Sequence, residues 1–184
     1  MEIKTIGVIG AATIGPGIAY LAALAGYKTI LQGVSPELLE PGIASIRDAL
    51  DGAITAGFIT RQQRETAFAN LETSRSVEDV CRQADLLIEA TQEELEVKLE
   101  IFTLFDKFAK PDAILASSSL VIPISDLAEI TFRTENCVGM RFAVPLSQTK
   151  SVEIIRTTVT SETTANMCFE VARRMGREAV VIQE

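Results

Sequence analysis

The sequence predicts an α/β fold with a doubly wound, mostly parallel sheet, and two observations predict it. Short β-branched runs alternate with helical stretches along the chain, which is typical of repeated strand–helix–strand units. A glycine-rich segment, GAATIG, joins the first predicted strand to the first predicted helix. Because no repeat, low-complexity linker or run of like charge interrupts this alternation, we expect residues 1–184 to form one domain.

The individual elements follow from apolar runs and from start and stop signals. Strands are predicted at residues 3–9, 28–32, 85–89, 113–117, 137–142, 152–155 and 179–183. Helices are predicted at residues 14–25, 93–108 and 162–175. Gly26 ends the first helix. Residues 36–71 are predicted to be a helical excursion, broken by a turn at residues 57–60 in which Thr60 is the N-cap of the second helix.

The glycine-rich turn has the position and spacing of a dinucleotide-binding fingerprint in a Rossmann-type domain: Gly10-Ala11-Ala12-Thr13-Ile14-Gly15. Gly10 permits the tight turn, and Gly15 permits close packing of the helix on the strand. The N–H groups at the helix start then form a pyrophosphate site. Ala12 replaces the usual middle glycine, and its methyl group costs about 1–3 kcal/mol of binding if the turn cannot shift. The alternative is a turn that serves folding alone.

The end of the second predicted strand lacks the acidic residue that normally holds the adenine ribose. Gln32 and Gly33 stand there, followed by Val34 and Ser35. Gln32 or Ser35 can offer a neutral hydrogen bond, which weakens binding about 10- to 100-fold relative to a charge-assisted one. We therefore expect weak binding of NAD and no preference for NADP.

Composition excludes several classes of function. The net charge of −8 is opposite to the basic surface that nucleic acids and anionic membranes require, so we expect neither partner. The chain has no histidine, which closes every acid–base, nucleophilic or metal-binding scheme based on that side chain. The three cysteines are far apart and fit small apolar side chains in a reducing cytoplasm. We expect a cytoplasmic protein without a metal site.

Successive runs of the chain resemble the NAD-binding domain of the 3-hydroxyacyl-CoA dehydrogenase family: KTIGVIGAATIGPGIAYLAALAGYKTIL, ADLLIEATQEELEVKLEIF, PDAILASSSL and NCVGMRFAVPLSQTKSVEII. The resemblance implies a Rossmann-type fold, NAD as cofactor, and oxidation of the 3-hydroxyl group of a fatty acyl-CoA. In that family a helical C-terminal domain supplies most of the dimer interface and completes the substrate pocket. The chain ends where that domain would begin.

The resemblance also implies which residues face the cofactor. The family's glutamate and lysine near the nicotinamide fall on Glu93 and Lys98, and both are kept. A serine-rich stretch that touches nicotinamide and substrate falls on residues 117–120. Within it, Ser118 replaces the family's asparagine.

The family's catalytic positions are largely changed. Its histidine falls on Arg141, its serine on Leu120 and the following asparagine on Val144, whereas the glutamate that orients the histidine is kept as Glu153. Arginine stays charged and cannot accept the proton that a dehydrogenase base must take. We predict that Arg141 and Glu153 form an ion pair, the alternative being a solvated arginine.

Three interpretations are open. In the first, the chain is half of an enzyme that works on acyl-CoA with a separate helical partner. In the second, it is a non-catalytic domain that binds nucleotide or acyl-CoA, or that serves as an interaction domain. In the third, these residues are a fragment of a longer protein. The replacements favour the second interpretation for the chain acting alone. We also expect an apolar face that drives formation of a homo-oligomer, because large exposed apolar patches mark partner sites.

Overall fold

A computed structural model describes residues 2–184 and confirms the predicted α/β class, with eight strands and seven α-helices in that range. The strands are β1 (Thr5–Ile9), β2 (Lys28–Gln32), β3 (Leu71–Ser74), β4 (Leu86–Glu89), β5 (Ile114–Ser117), β6 (Cys137–Phe142), β7 (Ser151–Arg156) and β8 (Glu178–Gln183). The helices are α1 (Gly15–Leu24), α2 (Pro36–Thr55), α3 (Arg61–Ala69), α4 (Val77–Gln83), α5 (Leu95–Phe108), α6 (Ile124–Ala128) and α7 (Glu162–Arg174).

All eight strands form one sheet in the order β3-β2-β1-β4-β5-β6-β7-β8. The six strands from β3 to β6 pair in parallel. Strand β7 runs antiparallel to β6 and pairs in parallel with β8. The chain moves outward from β1 to β3 and then returns to β4 on the other side of β1. Such a reversal of strand order opens a crevice at the carboxyl ends of the strands, which is where ligands bind in open α/β sheets.

Helices cover both faces of the sheet. One core lies under α1, α2, α3 and α7. The other lies under α4, α5 and α6, with Phe102 and Phe105 fully buried at its centre. Because strands β1, β4 and β5 are covered on both sides, they read as continuous apolar runs without alternation. Within residues 2–184 no helix combines the length and the apolar character that a membrane crossing needs.

The predicted helical excursion is correct except at its end. The turn at residues 57–60 separates α2 from α3, and Thr60 forms a capping box with Gln63: each side chain accepts a hydrogen bond from the other residue's backbone N–H. The extension of the helix to Leu71 is wrong, because Leu71 begins the edge strand β3. That strand has a single large apolar residue and is half exposed, so its pairing with β2 is decided by tertiary contacts.

Two short helices, α4 and α6, were not predicted from the sequence. Ser76 caps α4 by accepting a hydrogen bond from the backbone N–H of Asp79, and this Ser-x-x-Asp spacing was an available signal. Helix α6 has five residues, which are too few to show the helical periodicity of apolar residues, and it has no side-chain cap to mark its start. Both helices lie on the face of the sheet that carries α5.

The three cysteines are buried core residues, as predicted. Burial raises the pKa of the Cys81 and Cys168 thiols to about 12 and that of Cys137 to about 11. All three are therefore neutral thiols near pH 7, which suits packing and not nucleophilic chemistry.

A substitution of Gly15 tests the close packing of the turn on α1. A Cβ atom at Gly15 would lie 1.7 Å from the carbonyl oxygen of Gly10, so Gly15→Ala forces the backbone apart. We expect it to lower the free energy of unfolding by about 3 kcal/mol, at the upper end for overpacking. Urea denaturation followed by circular dichroism measures this change.

Gly52→Ala is the matched control. Gly52 lies inside α2, and nothing lies within 4 Å of the added methyl group. Alanine is the better helix former, so we expect a gain of about 0.5–1 kcal/mol. Equal effects of the two substitutions would contradict the close contact between Gly15 and Gly10.

Candidate functional site

The glycine-rich turn lies at the carboxyl end of β1, in the crevice beside β4. Gly10 has φ +112° and donates its N–H to the carbonyl oxygen of Gln32 at 3.0 Å, which ties the turn to β2. Positive φ occurs only at glycines in residues 2–184, so Ala12 has an ordinary backbone conformation. Ala12 and Thr13 are exposed, and Ile14 gives α1 no side-chain cap. The first N–H groups of α1 are thus available to an anion.

A cavity of about 430 Å³ opens beside this turn. Its wall is formed by Ala12 and Thr13, the first half of α2, and the loop at residues 144–147. Glu37, in the first turn of α2, also lines it. Hydrogen bonds from the Ser35 side chain and from a backbone N–H lower the pKa of Glu37, so a carboxylate faces the cavity at neutral pH.

The end of β2 differs from the predicted ribose contact. Gln32 is buried, and its Nε2 donates to the carbonyl oxygen of Arg75 at 3.2 Å, so this amide nitrogen is not presented to a cofactor. Gly33 is crowded as well, since a Cβ there would lie 2.9 Å from the Cβ of Ala11 and 3.0 Å from Leu39. The space that an acidic side chain would need at residue 33 is occupied by the methyl group of Ala11 in the turn and by the side chain of Leu39 on α2.

A buried cluster around Glu89 holds the carboxyl ends of β4 and β5 together. Lys98 on α5 donates from Nζ to both carboxylate oxygens of Glu89 at 2.9 Å, and both side chains are fully buried. The backbone N–H and the hydroxyl of Thr91 each donate to Oε1 at 2.6 Å, and the hydroxyl of Ser117 donates to Oε2 at 2.7 Å. The carboxylate therefore has a donor on every side, as a buried charge requires.

Lys98 was predicted to contact the cofactor, and the structure shows it inside the protein. Its Nζ lies 3.9 Å from Glu93, but its hydrogen bonds go to Glu89 and to the carbonyl oxygen of Thr91. Glu89 was missed by the sequence analysis. The available signal was an acidic residue at the end of an otherwise apolar strand, because such a group must find a cation or several donors nearby.

Glu93 holds the serine-rich turn that follows β5. Its carboxylate accepts from the hydroxyl of Ser119 at 2.7 Å and from the backbone N–H of Leu120 at 2.8 Å. Ser118 donates its backbone N–H to the carbonyl oxygen of Glu89 at 2.9 Å and is buried. Glu93 and Ser118 thus lie together beside β4, while Leu120 turns outward and is 47% exposed.

The predicted ion pair between Arg141 and Glu153 is confirmed. The two residues face each other across the antiparallel pair of β6 and β7, and Nη1 of Arg141 lies 3.1 Å from Oε2 of Glu153. Nε of Arg141 also donates to the carbonyl oxygen of Ser119 at 3.3 Å. The guanidinium therefore connects the end of β6 to the serine-rich turn, at the same edge of the sheet as Glu93 and Ser118.

A family model for the 3-hydroxyacyl-CoA dehydrogenase NAD-binding domain matches residues 5–184. A 3-hydroxybutyryl-CoA dehydrogenase of Bradyrhizobium diazoefficiens is 34% identical over 99% of this chain. The mitochondrial hydroxyacyl-coenzyme A dehydrogenase of Sus scrofa is 30% identical over 97% of it. The chain spans 62% and 58% of the lengths of these two relatives.

Solved structures show the same similarity in three dimensions. The (S)-3-hydroxybutyryl-CoA dehydrogenase from Ralstonia eutropha has 30% sequence identity and a TM-score of 0.94. The alignment covers 100% of this chain and 64% of that protein. Its similarity therefore extends over the whole α/β region described above.

Removing the cation from the buried cluster tests its role in holding the site together. Lys98→Met keeps the length of the side chain but leaves Glu89 charged and buried without its partner. We expect a loss of about 3–5 kcal/mol in the free energy of unfolding at pH 7, measured by urea denaturation.

The double variant Glu89→Gln/Lys98→Met is the control, because it removes both charges together. We expect it to recover most of the lost stability, since an uncharged pair carries no uncompensated charge. A single variant as stable as the wild type would show that Glu89 does not need Lys98.

Proposed function

The chain belongs to the family of 3-hydroxyacyl-CoA dehydrogenase NAD-binding domains. We propose that it binds NAD weakly together with an acyl-CoA ligand and does not perform the family's dehydrogenation on its own. The observation that carries this proposal is the ion pair at the position of the family's catalytic histidine. Arg141 there is held 3.1 Å from Glu153. A guanidinium has donors only, so it cannot take the hydroxyl proton as hydride leaves.

The residues of the turn fit a dinucleotide. The crowding at Gly15 shows that this position must be glycine, and the N–H groups at the start of α1 have no side-chain cap. The N–H groups from Ala12 to Gly15 would hold the pyrophosphate. When bound, NAD supplies the acceptor for hydride. Glu37 lines the same cavity as Ala12 and Thr13, and its carboxylate can accept from ribose hydroxyls in place of an acid at Gly33.

A groove beside the turn suits an acyl-CoA. A second cavity of about 450 Å³ shares Pro16, Gly17, Ser45 and the end of the loop, residues 146–147, with the first. Its wall is mostly apolar, while Lys150 and Arg177 supply positive charge. An acyl-CoA combines an apolar chain with phosphate groups, so this mixture of apolar wall and cations matches its chemistry.

A second candidate function is that of one half of an enzyme whose catalytic base comes from elsewhere. The arrangement of Glu89, Lys98 and Glu93 favours it, because this support for the serine-rich turn is complete. Val121 and Val144 are 75% and 56% exposed beside the site. A helical partner, on this or another polypeptide, or a second copy of the chain would cover them.

The wild-type chain should bind NAD with a dissociation constant in the micromolar to millimolar range. Ala12→Gly removes the methyl group nearest the expected pyrophosphate, and we expect it to tighten binding about tenfold, which corresponds to about 1.4 kcal/mol. Isothermal titration calorimetry measures both constants. No heat with NAD at several millimolar would show that the turn serves folding alone.

Glu37→Gln, in the same titration, tests the proposed contact between the Glu37 carboxylate and the ribose hydroxyls. We expect about tenfold weaker binding of NAD because a charge-assisted hydrogen bond is lost. Glu40→Gln makes the same chemical change at an exposed position of α2 outside the cavity and should leave binding unchanged. Equal affinities of the two variants would exclude Glu37 as a ribose ligand.

Turnover tests the proposal that the chain alone does not perform the family's dehydrogenation. With NAD and 3-hydroxybutyryl-CoA, we expect the chain to form NADH at least about 10²-fold more slowly than its Bradyrhizobium relative, since general-base catalysis contributes about 10²–10⁴-fold. Absorbance of NADH gives the initial rates. A rate equal to that of the relative would show that another group serves as the base.

A further inference from the structure

The two edges of the sheet differ in how their side chains protect them. Among residues 2–184, β3 has a neighbour only on the side of β2, and β8 has one only on the side of β7. A free edge carries unpaired backbone N–H and C=O groups, and proteins discourage further pairing there with short strands, charges or proline. Strand β3 has four residues, and its Glu72 forms an ion pair with Lys28 at 3.1 Å. That edge is protected.

The β8 edge lacks these protections along its middle. The strand has six residues, and its central run Ala-Val-Val-Ile, residues 179–182, contains no charge, proline or glycine. Val180 and Val181 point to opposite faces of the sheet. They are 49% and 43% exposed, so the helices leave both faces of this strand partly open. The edge therefore combines free backbone groups with uncovered β-branched side chains, which favour strand pairing.

The pairing with β7 determines which backbone groups of β8 are free. Glu178 donates its N–H to the carbonyl oxygen of Lys150, and Glu184 donates its N–H to that of Arg156. In a parallel pair, alternate residues of a strand bond to the same neighbour, so the even-numbered residues of β8 face β7. The backbone groups that point outward belong to the residues between them, Ala179, Val181 and Gln183.

We infer that two copies of the chain pair through β8, antiparallel and around a two-fold axis, so that their sheets join into one. A second copy suits this edge because antiparallel pairing of a strand with itself is isologous: each copy offers the donors and acceptors that the other lacks. The apolar run, residues 179–182, then lies against the same run of the second copy. No charge interrupts the contact.

Charge selects the register of the two strands. Two antiparallel registers keep most of β8 paired, one centred on Val180 and the other on Val181. The register centred on Val181 places Glu178 opposite Glu184 of the second copy, and like charges directly opposite each other are destabilising. The register centred on Val180 places Glu178 opposite Ile182 instead. Val180 then faces Val180 of the second copy in a non-hydrogen-bonded pair, where side chains come closest.

This dimer leaves the proposed NAD site open. Antiparallel pairing turns the second sheet end for end, so the two glycine-rich turns lie at opposite ends of the dimer. No residue of β8 lines the cavity beside that turn. The inference is therefore independent of the proposed ligands, and a variant that cannot dimerise should keep the wild-type affinity for NAD.

Sedimentation velocity at rising concentrations of the chain tests the inference. Two paired strands bury less than the about 1,600 Å² of a standard interface, so we expect a weak dimer with a dissociation constant in the micromolar range. In Val180→Lys two ammonium groups meet at the axis and the contact between the valines is lost, so we expect about tenfold weaker association. A wild-type chain that stays monomeric at millimolar concentration would overturn the inference. So would a Val180→Lys variant that dimerises like the wild type.

Thr73→Lys is the matched control, because it places the same charge at an exposed position of β3, the other edge of the sheet. We expect it to dimerise like the wild type. Val180 is half exposed, so a lysine there can reach water in the monomer. Urea denaturation of both variants checks their folding. An equal loss of association in Thr73→Lys would overturn the assignment to β8.

Disulfide cross-linking tests the register. In a non-hydrogen-bonded antiparallel pair the Cα atoms lie about 4.5 Å apart, within the about 4.4–6.8 Å that a disulfide spans. Val180→Cys should therefore give a covalent dimer on oxidation, seen on a non-reducing gel, while the three native cysteines are buried and contribute none. Val181→Cys should not, because its symmetry mate lies diagonally across the pair, at about 7–8 Å. Equal cross-linking of the two variants, or cross-linking of Val181→Cys alone, would overturn the pairing.

Discussion

The hydrogen bonds of the buried Glu89 carboxylate are the interactions on which the carboxyl ends of β4 and β5 depend. A charge without exposure is tolerated only when donors surround it, and here they come from the turn after β4, from α5 and from β5. Each donor fixes one element relative to β4. The side chain of Glu89 therefore helps the apolar core to set the register of β5 against β4 and the position of α5 against the sheet. Loss of Lys98 would disturb all three elements together.

The positions of the exposed groups follow from this cluster. Because Ser117 is held by Glu89, the turn that follows β5 starts from a fixed point, and Glu93 then holds Ser119 and the N–H of Leu120. Arg141 is anchored in turn to the carbonyl oxygen of Ser119. A chain of hydrogen bonds thus runs from the interior to the guanidinium at the surface, which limits how far Arg141 can move when a ligand arrives.

The sequence predicts this molecule well where local signals and tertiary contacts agree. The apolar runs of β1, β4 and β5 and the cap at Thr60 could be read directly. Strand β3 could not, because its four residues, of which Glu72 and Thr73 are exposed, become a strand only through their pairing with β2. In the site, the Arg141–Glu153 pair was predictable because the resemblance places both residues on neighbouring strands.

Gln32 shows the limit of the sequence-based argument at the site. Its position at the end of β2 matches the residue next to a ribose, yet its amide bonds to the carbonyl oxygen of Arg75, forty-three residues away along the chain. No local pattern indicates that partner. Glu37 is the opposite case. It lies beyond the position at the end of β2 where an acidic residue is expected, yet it lines the cavity because α2 begins at Pro36.

Scaffold and chemistry are separable in this domain. The interactions that place the site, around Glu89 and Glu93, use no group that would have to change protonation during a reaction. Arg141, which we expect at the position of the family's base, contributes a partly exposed ion pair with Glu153, and such pairs add little to stability, about 0–1 kcal/mol. Exchanging a base for Arg141 therefore costs the fold almost nothing, whereas exchanging Lys98 would cost several kcal/mol. This asymmetry explains physically how the interactions around Glu89 and Glu93 can be complete at a site where, in our proposal, an arginine stands in place of the proton acceptor.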